Sequence, residues 1–181
     1  KGKRNIVALH HFNLHDPPNQ NIKINPWTLL STLKEDMPEA MPVVFDRRVS
    51  ASLVGHLLGA IGGAAITRKT SFLLDRLGKQ VFAKGVTICD DPHRPRGLRS
   101  RPFDGEGLPV SPCTLVEAGM LETWLLDSAS ARQLGLEPTG HAARGVGGAP
   151  GVTTSNLYMH AGLVPIETLI GDIARGVYVT E

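Results

Sequence analysis

The stretch Ala51-Ser52-Leu53-Val54-Gly55-His56 places one histidine in a small, apolar run. An imidazole can bind a divalent metal that activates water, but such a site needs three or four convergent ligands. The turn before His56 offers only Ala51, Ser52 and Leu53. These residue types favour a structural histidine beside the apolar face of a helix over a metal ligand.

A second concentration of polar chemistry is the segment DDPHRPRGLRSRPFDGEG, called the arginine loop (residues 90–107). It carries four arginines and four carboxylates: Arg94, Arg96, Arg99, Arg101, Asp90, Asp91, Asp104 and Glu106. Three interpretations follow, namely a loop held by its own ion pairs, a peptide or carboxylate site, or a nucleic-acid site. The carboxylates neutralise the arginines and Phe103 is the one aromatic available for base stacking, which disfavours nucleic acid.

Two further motifs are weaker. His11 and His15 have helical spacing and Asp16 follows, a set that could bind a metal. Prolines follow directly and no second ligand cluster has zinc-like spacing, which favours ordinary surface histidines. The glycine-rich GHAARGVGGAPG has Pro150 where a dinucleotide fingerprint needs its third glycine, so we expect irregular chain there.

Composition restricts the class of protein. The chain has 181 residues, 41% of them hydrophobic and 20% charged, enough for one sizeable core. A net charge of +2 gives no general attraction to nucleic acid or to anionic membranes. Cys89 and Cys113 do not form a Cys-x-x-Cys pair, and no apolar run approaches the ~20 residues of a membrane span. We therefore expect a soluble, cytoplasmic protein without a membrane partner.

Periodicity predicts the elements that must position these residues. PVVFD, GVTICDD and VYVTE are typical of strands, and CTLVEAGMLETWLLD of a hairpin. Helices are predicted where apolar residues recur at three- and four-residue spacing after Ser50, in KTSFLLDRLG, in SASARQLG and in PIETLIGDIARG. We expect Gly62-Gly63 to weaken the end of the first helix, Gly78 to form a left-handed cap on the second and Gly135 to close the third. Hairpins mixed with helices indicate an α+β fold with a largely antiparallel sheet and packed helices.

Longer segments carry a resemblance. PVVFDRRVSASLVGHLLGAIGGAAITRKTSFLLDRLGKQVF, RGLRSRPFDGEG, WLLDSASARQLGLEPTGHAARG and TSNLY, in this order, resemble the TldD/PmbA (TldD/TldE) metalloprotease family, specifically its PmbA (TldE) branch. In the TldD branch the matching helix carries His-Glu-x-x-x-His, whose histidines bind a metal and whose glutamate is the base. Residue by residue, those positions fall on Ala51, Ser52 and His56. Alanine cannot ligate and serine cannot replace the carboxylate as base, so the resemblance implies no catalytic and no metal-binding residues here.

The resemblance also implies a partner. Members of this branch pair with a TldD-like metalloprotease, which would hold the zinc, in a heterodimer that cleaves unfolded peptides during precursor processing and antitoxin degradation. The older family label, modulator of DNA gyrase, requires no DNA binding. Residues 1–41 diverge from the family pattern, and residues 42–181 match a C-terminal domain expected to be incomplete at its C-terminus. Missing strands beyond Glu181 would make self-association possible.

Peptide recognition is predicted in the arginine loop and the segment TTSNLYM, which matches a region near the TldD-branch cleft. Its β-prone alternation suits pairing with an extended peptide. Arg101 would engage a peptide carboxylate or carbonyl, Asp104 and Glu106 would orient it, and Asn156 would offer its amide. Two alternatives stay open: an active metallopeptidase with a noncanonical metal site, and a stand-alone peptide- or anion-binding module.

Overall fold

A computed structural model describes residues 42–46, 48–171, 173 and 176–180. The chain divides into two units, one of residues 1–52 with 164–181 and one of residues 53–163. The helices are α1 (Ser50–Ile61), α2 (Gly63–Thr67), α3 (Ser128–Leu134) and α4 (Ile166–Gly171). The strands are β1 (Val43–Phe45), β2 (Ile88–Asp90), β3 (Cys113–Glu117), β4 (Met120–Leu121), β5 (Ala142–Ala143), β6 (Gly151–Val152), β7 (Leu157–Met159) and β8 (Val177–Val179).

The first unit contains the strand pair β1–β8. The two strands run parallel, with Val44 opposite Tyr178, and the Tyr178 hydroxyl donates to Asp46 over 2.9 Å. Both strands confirm the sequence prediction. β8 pairs with β1 along one edge. Self-association caused by missing strands beyond Glu181 stays a prediction.

The second unit is organised around a four-stranded antiparallel sheet in the order β4-β3-β2-β7. β3 and β4 form the predicted hairpin, whose turn residues Ala118 and Gly119 have φ angles of 47° and 84°. Two positive φ angles give a turn whose twist matches that of the strands it joins. Asp90 at the end of β2 lies opposite Leu157 of β7, which brings the arginine loop and the segment before β7 to the same end of the sheet.

Helices α1 and α2 are separated by Gly62, whose extended backbone (ψ 136°) ends the first helix. The predicted weakening at Gly62-Gly63 is thus confirmed. The NH of Gly63 then donates to the carbonyl of Leu125 over 2.7 Å, and the NH of Leu125 donates to Ile61 over 3.0 Å. These bonds join the helices to the chain that follows β4.

One apolar cluster fills the second unit. Its members come from α1, α2, α3, the sheet, Leu73 and the segment after β4, and its largest fully buried side chains are Ile61, Ile88, Leu115, Val116, Leu121, Leu125 and Leu126. Burying each of these side chains contributes roughly 1.5 to 3 kcal/mol before chain entropy is subtracted. This core holds the end of β2 and the start of β7 in fixed positions.

The predicted helix in KTSFLLDRLG is wrong. Residues 72–75 form turns, with the NH of Arg76 donating to the carbonyl of Leu73. Leu77 and Gln80 then bridge to β4, and the NH of Gly78 donates to Leu121 over 2.7 Å. Pairing with β4 therefore overrides local helix propensity, although Gly78 does adopt the left-handed conformation expected of it (φ 69°).

The α+β class with a largely antiparallel sheet is confirmed. Helix α3 runs from Ser128 to Leu134 and is closed by Gly135, as predicted; Gly135 is left-handed, with φ 68°. Helix α4 is present from Ile166 to Gly171, while part of its predicted continuation lies outside the described residues. Within the described part of the chain, no helix has the length and apolar character to cross a membrane.

Candidate functional site

Helix α1 carries the three residues at the positions of the metallopeptidase motif. Ala51 and Ser52 lie exposed in its first turn, and the Ser52 hydroxyl donates to the carbonyl of Val49 over 2.6 Å. One imidazole, a methyl group and a hydroxyl that is bonded to a backbone carbonyl do not make a ligand set for a divalent metal. The residues at these positions do not fit a catalytic zinc.

His56 is exposed, which corrects the expectation of a packed structural histidine. Its side chain makes no hydrogen bond to the described residues. The apolar face of α1 is formed by Leu57, Ala60 and Ile61, and His56 lies just off this face. The spacing of the apolar residues predicted His56 beside the core. Neighbouring residues on a helix point about 100° apart, however, so His56 faces solvent while Leu57 is buried.

His56→Ala should therefore change the free energy of unfolding by no more than about 0.5 kcal/mol, because an exposed side chain that bonds to none of the described residues contributes little. Urea unfolding followed by circular dichroism measures this directly. Leu57→Ala is the matched core variant on the same helix and should cost about 2 to 5 kcal/mol. An equally large loss in the His56 variant would restore the structural interpretation.

The arginine loop is not held by ion pairs. Within the described residues, none of its four arginines pairs with a carboxylate, which corrects the ion-pair interpretation. Loop carboxylates instead accept hydrogen bonds from backbone amides, as Asp91 does from the NH of His93 over 2.9 Å. A loop leaves many backbone NH groups without helix or sheet partners, and short acidic side chains satisfy them locally.

Asp104 and Glu106 anchor the second half of the loop. Asp104 is buried and accepts from the NH groups of Glu106, Leu108 and Ala142 over 2.9 to 3.2 Å. Glu106 accepts from both the NH and the hydroxyl of Ser128, at the start of α3. Neither carboxylate contacts Arg101 through a hydrogen bond in the described chain, so any orienting effect on Arg101 is indirect.

The first half of the loop is attached to the segment before β7. The Asn156 amide donates to the carbonyl of Asp91 (2.8 Å) and to the Ser100 hydroxyl (2.9 Å), and its oxygen accepts from the NH of Arg99 (3.2 Å). The Arg101 guanidinium donates to the carbonyl of Thr153 over 3.2 Å. The structure thus brings Arg101 to the segment that contains Asn156. The Asn156 amide uses both of its donor hydrogens within the protein.

Arg101 retains unused donor capacity. Its Nε is buried and has no hydrogen-bond partner among the described residues. An unpaired buried donor costs roughly 1 to 3 kcal/mol. A ligand oxygen that reached Nε of Arg101 and accepted its hydrogen would therefore bind favourably. The assignment of Arg101, Asp104, Glu106 and Asn156 to peptide binding stays a prediction.

A buried polar network lies beneath this surface, and sequence analysis missed it. Asp90 is 3% exposed and accepts from the NH and hydroxyl of Ser155 over 2.8 to 2.9 Å. Nε2 of buried His141 lies 3.5 Å from its Oδ2, and Nδ1 of His141 lies 2.8 Å from the Thr139 hydroxyl. Burial raises the pKa of Asp90, but the bonds from His141 and Ser155 lower it by more, and the carboxyl pKa lies below its usual value.

Strand β7 is the outer strand of the sheet within the described residues. The NH of His160 donates to Thr87 and the carbonyl of Asn156 accepts from Asp91. Since backbone groups alternate in direction along a strand, those of Leu157 and Met159 face away from β2. The face beside this open edge is aromatic and basic, because Tyr158 stacks on His160 at 5.6 Å and Arg94 lies 5.7 Å from the Tyr158 ring centre.

The described residues contain no cluster of three or more histidine, cysteine, aspartate or glutamate side chains suited to a metal. The weaker candidates His11, His15 and Asp16 lie outside the described residues. Cys89 and Cys113 are free thiols, and burial raises the pKa of Cys113. The glycine-rich segment 140–151 is partly regular, because it contains β5 and the first residue of β6. The expected irregular chain is found at residues 144–150, which are exposed.

Comparison with known proteins gives consistent relatives. Residues 38–181 match the family model described as the PmbA/TldA metallopeptidase C-terminal domain. A protein named metalloprotease PmbA from Escherichia coli O157:H7 is 41% identical over 152 residues, which cover 84% of this chain and 30% of that protein. A protein named metalloprotease TldD homolog from Buchnera aphidicola is 27% identical over 173 residues, covering 90% of this chain and 36% of the relative.

Solved structures share the fold. A putative modulator of DNA gyrase from Thermotoga maritima superposes with a TM-score of 0.67 at 34% identity, covering 80% of this chain and 33% of that one. TldE from Thermococcus kodakarensis superposes with a TM-score of 0.60 at 30% identity, covering 68% and 28%. The chain therefore spans about a third of the length of these relatives.

Proposed function

Since the chain belongs to the PmbA/TldD metallopeptidase family, we propose that it is the non-catalytic, PmbA-like part of a peptide-cleaving complex whose zinc is held by a TldD-like partner. The observation that carries this proposal is the residue set Ala51, Ser52 and His56 on α1. A helix with one of three expected groups can keep the shape of the family domain while supplying neither ligands nor base. The proposal places the complex in the cytoplasm and assigns it unfolded peptides as substrates.

The open edge of β7 supports a role in holding the substrate. The outward backbone groups of Leu157 and Met159 can pair with an extended peptide, and main-chain pairing tolerates many side chains. Arg101 is far from β7 in sequence, but its guanidinium donates to the carbonyl of Thr153, shortly before β7, and it would meet a carbonyl or carboxylate of the same peptide. Asn156 would take part only by exchanging one of its present bonds, and Asp104 and Glu106 would act by keeping the loop in place.

A reconstitution experiment tests the non-catalytic role. The purified chain alone should contain no stoichiometric zinc and should not cleave an unstructured peptide, whereas peptide turnover should require a TldD-like protein. Mass spectrometry of the peptide and elemental analysis of the protein provide the two measurements. Zinc-dependent cleavage by the isolated chain would favour the alternative of a noncanonical metal site. Binding of peptide with no effect on any TldD-like enzyme would favour a stand-alone module.

Arg101→Ala should weaken binding of an unstructured peptide about tenfold or more, because a charge-assisted hydrogen bond contributes roughly 1.5 to 3 kcal/mol. Arg96→Ala is the matched control, since Arg96 is an exposed arginine of the same loop. Fluorescence anisotropy with a labelled peptide measures the affinities, and thermal unfolding monitors the fold. Equal affinities combined with a lower melting temperature in the Arg101 variant would assign this residue to architecture.

A further inference from the structure

A cavity of about 320 Å³ lies within the second unit, apart from the edge of β7. It is bounded by the end of α1, by α2 and by residues 152–154. Its apolar lining includes Leu58, Leu125 and Val152. This volume is at the lower end of the range for small-ligand sites, so it suits the end of a chain better than a whole strand.

Gly59 of α1 and Gly62, which directly follows α1, form part of the lining. At Gly62 an added Cβ would lie 3.3 Å from Cγ2 of Val152, whereas at Gly59 nothing lies within 4 Å. The helix backbone is therefore accessible from the cavity at Gly59. A side chain entering here would contact the aliphatic groups of Leu58, Leu125 and Val152.

Two arginines supply positive charge to the same cavity. The Arg99 guanidinium donates to the Thr153 hydroxyl over 2.7 Å, and Arg68 extends from the end of α2. Within the described residues, neither arginine pairs with a carboxylate. A guanidinium presents several donors in a plane, which matches a carboxylate with two oxygens.

We infer that this cavity binds the C-terminal carboxylate of a peptide whose last side chain is aliphatic. The apolar lining takes the side chain, and Arg68 and Arg99 take the charge. The inference rests on the proposal that the domain holds peptides, and it adds that one end of the peptide is recognised. An acidic side chain at the last position would place a second charge against Leu58 and Val152 and should be rejected.

The first test compares acetyl-Ala-Ala-Leu carrying a free carboxylate with the same peptide amidated at its C-terminus, using calorimetry on the whole chain. The free acid should bind about tenfold more tightly or better, because amidation removes the charge-assisted contacts. Equal affinities would overturn the inference. Inorganic phosphate that competes as strongly as the free-acid peptide would also overturn it, since the cavity would then be a general anion site.

Two pairs of variants locate the binding. Gly59→Leu should fill the cavity and abolish the advantage of the free acid, while Gly55→Leu, one turn earlier and outside the lining, should retain it. Arg68→Gln should reduce that advantage several-fold, whereas Lys69→Gln removes a neighbouring charge outside the lining and should not. Unchanged discrimination in both Gly59→Leu and Arg68→Gln would place the carboxylate elsewhere.

Failure of the cavity inference can be distinguished from failure of the proposal that the open edge of β7 binds peptide, called here the edge proposal. A longer peptide capped at both ends has no free carboxylate but can still pair with β7. If it binds while the free acid has no advantage, the cavity inference fails and the edge proposal stands. If only the free acid of the short peptide binds, the edge proposal fails and the cavity inference stands.

Discussion

Asp90→Ala is expected to lower the free energy of unfolding by about 3 to 5 kcal/mol, because removing one member of a buried charged network leaves its partners without compensation. The Ser155 NH and the His141 imidazole would both lose their acceptor inside the protein. Asp91→Ala is the matched control: the neighbouring carboxylate is less buried and accepts from one backbone NH. We expect the control to cost about 1 kcal/mol. Urea titrations of both variants measure the difference.

The pH dependence gives an independent signature of Asp90. The pKa of Asp90 is lower in the folded chain than in the unfolded chain, where aspartate has a pKa of about 3.9. The ionised carboxylate therefore stabilises the fold at pH values above about 3.9. This stabilisation is lost as the pH falls through the folded-state pKa. The gap in stability between wild type and Asp90→Asn should therefore be constant from pH 7 to about 5 and narrow below about 4. A gap that did not change at acid pH would show that the charge of Asp90 is unimportant.

Gly63→Ala should destabilise the protein by about 1 to 3 kcal/mol through overpacking. A Cβ at this position would lie 2.5 Å from Cβ of Ser130 and 3.2 Å from the carbonyl of Leu125, where α2 packs on α3. Gly55→Ala, in open space on α1, should instead gain up to about 1 kcal/mol from helix propensity. Thermal unfolding distinguishes the two signs.

A rescue variant keeps the Gly63 prediction specific. Ser130→Gly removes the side chain that an alanine at position 63 would meet, so the double variant should be more stable than the sum of the two single changes predicts. The coupling should be at least about 0.5 kcal/mol. Strict additivity would mean that the cost of Gly63→Ala arises elsewhere.

Local signals predicted the elements that depend on local chemistry. The hairpin turn at Ala118-Gly119 and the stop of α3 at Gly135 follow from backbone angles that few residues adopt. The order of the motif-like segments also indicated the family, which the comparisons confirm. Helix Lys69–Gly78 failed because its competitor, pairing with β4, involves residues some forty positions later in the chain.

The candidate site was harder to predict than the fold for the same reason. Sequence showed that arginines and carboxylates share one loop, but which backbone amides would need an acceptor depends on how that loop lies in three dimensions. In the fold, Asp104 accepts a hydrogen bond from the NH of Ala142, and Asp90 accepts one from the NH of Ser155. Two adjacent aspartates directly after an apolar strand were the available signal, since one of such a pair points inward and needs partners.

The bonds between Asp90 and Ser155 join residues that are 65 positions apart. Closing a loop of that length costs a few kcal/mol of chain entropy before any contact within it compensates. The β2–β3–β4 part of the sheet has much shorter connections, so it should form first and β7 should dock late. Until β7 docks, the side of β2 that will pair with β7 is an unpaired edge. The longer the chain stays in this state during synthesis, the more opportunity that edge has to pair with another chain.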